Sequence, residues 1–179
     1  RAAWAGATVA APAFTVSCAE ADNLAVHVAV AEAPAGSVLV VEVAPAERGY
    51  WGEVLTTAAE ARGITGLVID GGVRDIAAIE AHGFPVFSSM IALAGAAKIS
   101  GGSVGGAVHV GDTAVDTGDW VVADRDGVAV VAAAELSEVI VGGRARADKE
   151  ADMFERLRAG ATTLQLLGLD PGSVRRPDQ

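Results

Sequence analysis

The sequence predicts a mixed α/β fold in a single domain. Valine clusters and alanine runs dominate a chain of 179 residues that is 51% apolar and only 4% aromatic. β-Branched residues favour strands and alanine favours helices. In the first half, apolar runs such as Leu67-Val68-Ile69 alternate with helix-like segments, the pattern of parallel β-α-β pairing. In the second half, short apolar stretches are joined by Gly111-Asp112, Gly118-Asp119 and Asp126-Gly127, turn pairs suited to an antiparallel meander.

Each element has a local reason. Asp22-Asn23 can cap a helix through Leu24–Glu32, which Pro34-Ala35-Gly36 ends. Val38–Val43 reads as a strand and Ala44–Tyr50 as a loop rich in charge and breakers. Gly52–Arg62 reads as a helix with Val54, Leu55, Ala58 and Ala59 on one face and Gly63 at its stop. Leu67–Asp70 is a strand that Gly71-Gly72 breaks, Asp75–His82 a short helix closed by Gly83, and Pro85–Ser88 another strand. Lys98–Gly106 is a glycine-rich connection. Ala107–Val110, Thr113–Val115, Trp120–Ala123 and Val128–Ala132 form the meander. Glu135–Arg158 is helical with an interruption at Gly142-Gly143, and a short helix surrounds Thr163–Leu167. Residues 1–170 then make one domain, and 171–179 a flexible tail.

Composition excludes several functions. The formal charge is −10, with no basic stripe, so nucleic acid is not the expected partner. No apolar run approaches a membrane span, and no charged start precedes an apolar segment, so neither membrane insertion nor a signal peptide is expected. One cysteine, Cys18, allows no internal disulfide and no cysteine zinc cluster, which suits a cytoplasmic protein. The chain opens at Arg1 without a methionine, as a processed product would.

The richest stretch is Gly66–Asp75, where a buried strand ends in a guanidinium and a carboxylate, Arg74 and Asp75. The mouth of a buried strand is where α/β folds place ligands. Arg74 can grip an organic carboxylate through two parallel N–H bonds, and Asp75 can hold a hard divalent cation. Acidic residues also favour helix starts, so the pair alone fits an ordinary helix N-terminus as well. Gly52-Glu53-Val54-Leu55 opens the preceding helix, and its free N–H groups make an anion site.

Other chemistries lack their signatures. Gly101–Gly106 lacks the Lys-Ser/Thr of a phosphate loop, and Asp70-Gly71-Gly72 lacks the full dinucleotide fingerprint. His27, His82 and His109 have no helical ligand spacing, and His27 and His109 read as packing residues. Oxygen ligands and water suit magnesium or manganese better than zinc. There is no nucleophile elbow for a serine hydrolase, and neither Lys98 nor Lys149 sits in an apolar run that would activate a Schiff-base lysine.

Five segments occur in the order found in one family: Asp22-Asn23-Leu24-Ala25-Val26-His27, the helix Trp51–Arg62, the run Gly66–Asp75, Gly83-Phe84-Pro85-Val86-Phe87, and Gly118-Asp119 through Asp126-Gly127-Val128. Over nearly its whole length the chain resembles the RraA-like family. That family contains the class II 4-hydroxy-4-methyl-2-oxoglutarate aldolases and the regulator of ribonuclease activity A. The resemblance implies a swivelling β/β/α sandwich, assembled as a homotrimer or hexamer with active sites between subunits. It implies that Arg74 binds the pyruvyl carboxylate and stabilises the enolate, and that Asp75 ligates Mg2+ or Mn2+ directly. It gives Glu53 and Glu150 metal-bound water, Glu150 reaching in from a neighbouring subunit. It implies that the backbone amides of Gly52, Glu53, Val54 and Leu55 cradle the substrate carboxylate. One departure stands out: Ala78 replaces an acidic residue common three positions after the aspartate, with Glu80 out of register; the family's usual N-terminal helix is expected to fall before residue 1.

The function so implied is a divalent-metal-dependent carbon–carbon lyase. It would cleave a 4-hydroxy-2-oxo dicarboxylic acid to pyruvate, with oxaloacetate decarboxylation as a side reaction. The alternative is a non-catalytic regulator that binds a ribonuclease. Such regulators tend to carry a neutral residue where Asp75 stands. A methyltransferase label also attached to the family has no glycine signature here for a nucleoside-methyl donor.

Overall fold

The computed structural model describes residues 1–175. In chain order the elements are β1 (Val9–Cys18), α1 (Leu24–Glu32), β2 (Val38–Val43), β3 (Gly49–Trp51), α2 (Glu53–Ala61), β4 (Gly66–Val73), α3 (Ile76–His82) and β5 (Val86–Ile91). There follow β6 (Gly102–Val104), β7 (Val108–Val110), β8 (Thr113–Val115), β9 (Trp120–Ala123), β10 (Val128–Val131), α4 (Leu136–Arg158) and α5 (Thr163–Leu167). Two compact units emerge, Arg1–Leu136 and Ser137–Gln179.

In the first unit β2 pairs parallel with β1 and β4, and β5 pairs parallel with the far side of β4. The expected parallel β-α-β start is therefore present. β1 changes partners along its length: Val9–Pro12 pair antiparallel with β9, whereas Ala13–Cys18 pair parallel with β2. β6 joins the C-terminal end of β1, and β10 folds back on β9.

Strict alternation sorts the strand side chains onto two buried faces. Val16, Leu39, Val41, Leu67, Ile69 and Val86 pack with Ala25, Val26, Ala29, Leu55, Ala59 and Ile79 of the helices. Val38, Val40, Val68 and Phe87 point the other way, against Val108 and Val115 of the β7–β8 hairpin and Val121 of β9. Helices thus cover one face and strands the other, giving the mixed α/β architecture predicted. Burial on both faces explains why β2 and β4 read as continuous apolar runs.

Several elements differ from the sequence expectation. β1 was not foreseen; its alanines, proline and threonine hide its apolar period. β3 occupies the end of the expected loop Ala44–Tyr50. Gly71 and Gly72 do not break β4 but lie within it. A Cβ on Gly71 would stand 2.7 Å from Val43 Cγ2, and one on Gly72 would collide with the Arg48 carbonyl. These glycines let neighbouring backbone approach closely. β7–β8 and β9–β10 are separate hairpins rather than one meander.

In the second unit α4 runs unbroken through Gly142-Gly143, because glycine weakens a helix without interrupting its hydrogen bonds. Thr162 and Gln165 form a reciprocal capping box that starts α5. Within the expected tail, Pro171–Ser173 forms a 3-10 turn capped by Asp170, and residues 176–179 lie outside the described residues. Among the described residues no helix is long and apolar enough to cross a membrane.

Candidate active site

Arg74 and Asp75 follow the C-terminal end of β4, beside the start of α2. Arg74 N–H donates to the Trp51 carbonyl at 2.9 Å, extending the β3–β4 pairing to the catalytic candidate itself. Trp51 is fixed in turn: its Nε1 donates to Thr56 Oγ1 at 2.8 Å, and its ring stacks on Phe84 at 5.9 Å. Asp75 adopts the left-handed conformation, φ 59° and ψ 37°. Only Asp75 and Ala21 do so without being glycine among the described residues. Aspartate tolerates this conformation better than most residues but still at a cost. The bend brings Asp75 Oδ2 within 3.1 Å of the Glu53 N–H, so Asp75 caps α2 from the neighbouring loop.

Arg74 Nε lies 3.8 Å from Asp75 Oδ2, and the two side chains are 40% and 43% exposed. That separation is too long for a hydrogen bond, and an exposed pair contributes little stability. The arginine is therefore not consumed by its neighbour: its terminal nitrogens make no hydrogen bond among the described residues. Its stem runs over glycine. A Cβ on Gly49 would stand 3.3 Å from Arg74 Cδ, one on Gly52 3.1 Å from Cγ, and one on Gly95 3.1 Å from Nη1.

The guanidinium opens on a cavity of about 200 Å³ lined by Arg74, Asp75, Gly52, Val54 and Leu55, together with Asn23, His27, Tyr50, Trp51 and Lys98. The first intrahelical bond of α2 is Thr56 N–H to the Gly52 carbonyl. Val54 and Leu55 therefore keep the free N–H groups of a helix start. The structure thus brings together most of the residues singled out from the sequence.

Glu53 contributes its backbone N–H, while its carboxylate lies 3.7 Å from His82 Nε2. His82 also contacts Glu60 at 2.8 Å. Glu150 belongs to the second unit, where its Oε1 accepts from Arg146 Nε at 2.7 Å.

Five cavity residues, Asn23, His27, Tyr50, Trp51 and Lys98, had no site role in the sequence. Asp22-Asn23 read together as a cap; Asp22 makes the capping bond, accepting the Leu24 N–H at 2.8 Å. Asn23 Nδ2 instead donates to the Tyr50 carbonyl at 2.8 Å. His27 read as packing, Tyr50 as loop, and Lys98 only as a Schiff-base candidate. The Asn23–His27 spacing of one helical turn was the available signal. Burial, then the Lys98 charge, holds His27 below the ordinary histidine pKa. The Tyr50 hydroxyl approaches the Ala21 backbone without forming a hydrogen bond of good geometry.

Among the described residues no three His, Cys, Asp or Glu side chains gather to hold a metal. Asp75, however, lines the cavity, and its Oδ1 makes no hydrogen bond among the described residues. One carboxylate oxygen beside open space fits Mg2+ or Mn2+, which keep several waters and take one or two protein carboxylates. It does not fit zinc, which wants a closed set of nitrogen or sulfur ligands.

A model of the RraA-like family, described as Aldolase/RraA, matches residues 1–130. A protein of Halalkalibacterium halodurans with the name "Putative 4-hydroxy-4-methyl-2-oxoglutarate aldolase" is 35% identical over 152 residues, 84% of this chain and 71% of its own length. An uncharacterized protein from Pseudomonas syringae pv. tomato shares the fold with a TM-score of 0.82 at 28% identity, over 92% of this chain and 77% of that one. The RNA-processing inhibitor RraA from Thermus thermophilus matches with a TM-score of 0.67 at 26% identity, over 73% of this chain and 80% of that one. By its sequence and its fold, the chain belongs to the RraA-like family.

Proposed function

We propose that the protein is a divalent-metal-dependent aldolase that cleaves a 4-hydroxy-2-oxo dicarboxylic acid, such as 4-hydroxy-4-methyl-2-oxoglutarate, to pyruvate. One observation carries this above the rest: Arg74, with its terminal nitrogens unengaged, and Asp75, with one oxygen unengaged, line one cavity at the start of α2. The aldolase name of the H. halodurans relative supports it.

Arg74 holds the substrate carboxylate through parallel charge-assisted hydrogen bonds. The N–H groups of Val54 and Leu55 add the positive end of the α2 dipole. Mg2+ or Mn2+ held by Asp75, with Glu53 and a partner subunit's acidic residue acting through water, would supply Lewis acidity at the 2-oxo group. A water polarised by the Asp75 and Glu53 carboxylates takes the proton from the C4 hydroxyl. The C3–C4 bond then breaks, C4 becomes a carbonyl, and the bonding pair stays on C3 as the pyruvate enolate. Arg74, fixed before reaction by the Trp51 carbonyl and its glycine bed, stabilises that developing charge. Protonation at C3 releases pyruvate. Oxaloacetate reaches the same enolate by losing carbon dioxide, so its decarboxylation is the expected side activity.

The native assembly in this reading is a homotrimer or hexamer with each site at a subunit interface. The apolar side chains that α4 and α5 expose, among them Val139, Phe154 and Leu167, support burial against other copies. Lysate-free pyruvate-release assays test the proposal: chelator, Arg74→Ala and Asp75→Ala should each remove most activity. Activity that survives chelation, with an adduct trapped by borohydride and pyruvate, would instead indicate a lysine Schiff base.

The likeness to the Thermus RNA-processing inhibitor favours a second reading, a non-catalytic regulator that binds a ribonuclease. Capture of a purified ribonuclease, with no pyruvate release on any 4-hydroxy-2-oxo acid, would select it.

A further inference from the structure

Glu53 is gripped twice, both times from the two ends of α3. At the start of α3, Asp75 accepts the Glu53 N–H at 3.1 Å. At its end, His82 brings Nε2 within 3.7 Å of Glu53 Oε1, while Nδ1 bonds Glu60 Oε2 at 2.8 Å. Glu53 and Glu60 lie two turns apart on one face of α2. The imidazole therefore stands between two carboxylates of the same helix. With both ring nitrogens protonated it donates to each.

The ring is held in place by the chain around it. His82 is the last residue of α3, and Gly83 closes the helix in the left-handed conformation at φ 71°, its N–H donating to the Glu80 carbonyl at 2.9 Å. Phe84 follows, buried and stacked on Trp51. Ala59 of α2 and Ile79 of α3 belong to one buried cluster. The His82 side chain is 26% exposed, against 56% for Glu53. A glutamate has much rotamer freedom to lose, so a fixed partner decides where its carboxylate rests.

The two contacts of His82 differ in what they can do. The bond to Glu60 ties α2 to α3. The Glu53 contact, at 3.7 Å between partly exposed groups, is too long for a hydrogen bond and adds little stability. Its meaning lies in where Glu53 sits, between Gly52 and Val54, which both line the Arg74 cavity. His82 engages Oε1, and Oε2 makes no hydrogen bond among the described residues. Carboxylates that act on a metal or its water are themselves oriented by groups behind them.

We infer that His82 is a positioning residue: anchored on Glu60, it holds one oxygen of Glu53 and leaves the other for the water that Glu53 polarises. This rests on the aldolase reading and deepens it. His82 acts on the reaction only through Glu53.

Two substitutions of similar shape separate the contacts. His82→Asn keeps a nitrogen near the Nδ1 position and loses Nε2, and His82→Gln does the reverse. The full chain is assayed for Mn2+ affinity, read as free Mn2+ by electron paramagnetic resonance, for kcat and KM of pyruvate release, and for its thermal melt. His82→Asn should keep the melting temperature and KM but lose about 10-fold in Mn2+ affinity and in kcat. His82→Gln should recover both. In a Glu53→Gln background His82→Asn should change neither, because its effect passes through Glu53. Wild-type values in His82→Asn, an equal loss in His82→Gln, or a full loss in the Glu53→Gln background overturns the assignment. The Mn2+ titration uses no substrate, so the two ideas fail separately. Mn2+ binding that follows the His82 pattern without pyruvate release from any 4-hydroxy-2-oxo acid sinks the aldolase reading alone. Pyruvate release indifferent to His82→Asn sinks the positioning role alone, and a wild type that binds no Mn2+ overturns both.

Discussion

Replacing Gly52 with alanine adds one methyl group at the tightest point of the candidate site. The Gly52 backbone is extended, with φ −165° and ψ −169°, a conformation open to any residue. Any effect must therefore be steric. The new Cβ would collide with Asp75 Oδ2 and stand 3.1 Å from Arg74 Cγ and 3.2 Å from Nε. Both side chains have to move. Asp75 would then lose the Glu53 N–H, now at 3.1 Å. A hydrogen bond to a charged group is worth about 1.5–3 kcal/mol, and solvent screening at this half-exposed carboxylate lowers that to about 1 kcal/mol. In a chain of this size the melting temperature should fall by roughly 2–4 °C. Misplacing catalytic groups by about 1 Å costs on the order of 100-fold in rate. The assay is pyruvate release coupled to lactate dehydrogenase, run beside a thermal melt. Gly106→Ala, where a Cβ meets nothing within 4 Å, serves as the control and should keep both values. A Gly52→Ala enzyme with wild-type release would show that the Arg74–Asp75 geometry does not matter to the chemistry.

Asp75→Asn should keep the fold, because asparagine accepts the left-handed backbone and can still receive the Glu53 N–H, yet Mg2+-dependent pyruvate release should fall to background. Cys18 is 7% exposed, and burial, outweighing a backbone hydrogen bond from Val26, pushes its thiol up to about 12. Native protein should therefore resist alkylation near pH 8 and react rapidly once unfolded. Its protonated form favours folding, so that stability is complete below the ordinary thiol value of 9.0 and is lost as pH rises toward 12. His27 has the opposite sign. Its folded pKa lies below the ordinary 6.5, so its contribution is present above 6.5 and declines as pH falls through the folded value. His27→Gln should flatten that acid limb in denaturant titrations. In the second unit Gly142→Ala, in mid-helix with open space around it, should stabilise α4 by about 0.5–1 kcal/mol, visible as a gain in helical circular dichroism.

How far the sequence carries depends on whether a residue's role is local. The apolar runs of β2 and β4 and the helix starts at Asp22 and Gly52 are set by neighbours in the chain, and they lie where the sequence places them. Arg74 and Asp75 stood out because two opposite charges follow a buried run. The partners that give them meaning are distant in sequence. Asp75 caps a helix that begins 22 residues earlier. Gly71-Gly72 looked like a break because glycine's usual local role is a turn, whereas here the close approach of Val43 and Arg48 demands it. β3 is too short to show a period, so Tyr50 and Trp51 were invisible as cavity walls. Asn23 and Lys98 are brought together by the Asp22 staple and by the Asn23–Ala97 backbone hydrogen bond, contacts between segments far apart in the chain.

The decisive measurement is the initial rate of pyruvate release from 4-hydroxy-4-methyl-2-oxoglutarate by metal-stripped protein titrated with Mg2+, with Arg74→Ala run alongside. A shared grip on cation and keto acid requires release that is absent without the cation, saturates as it is added, and disappears in the variant. Equal rates with and without Mg2+, or an Arg74→Ala variant as fast as wild type, would contradict it.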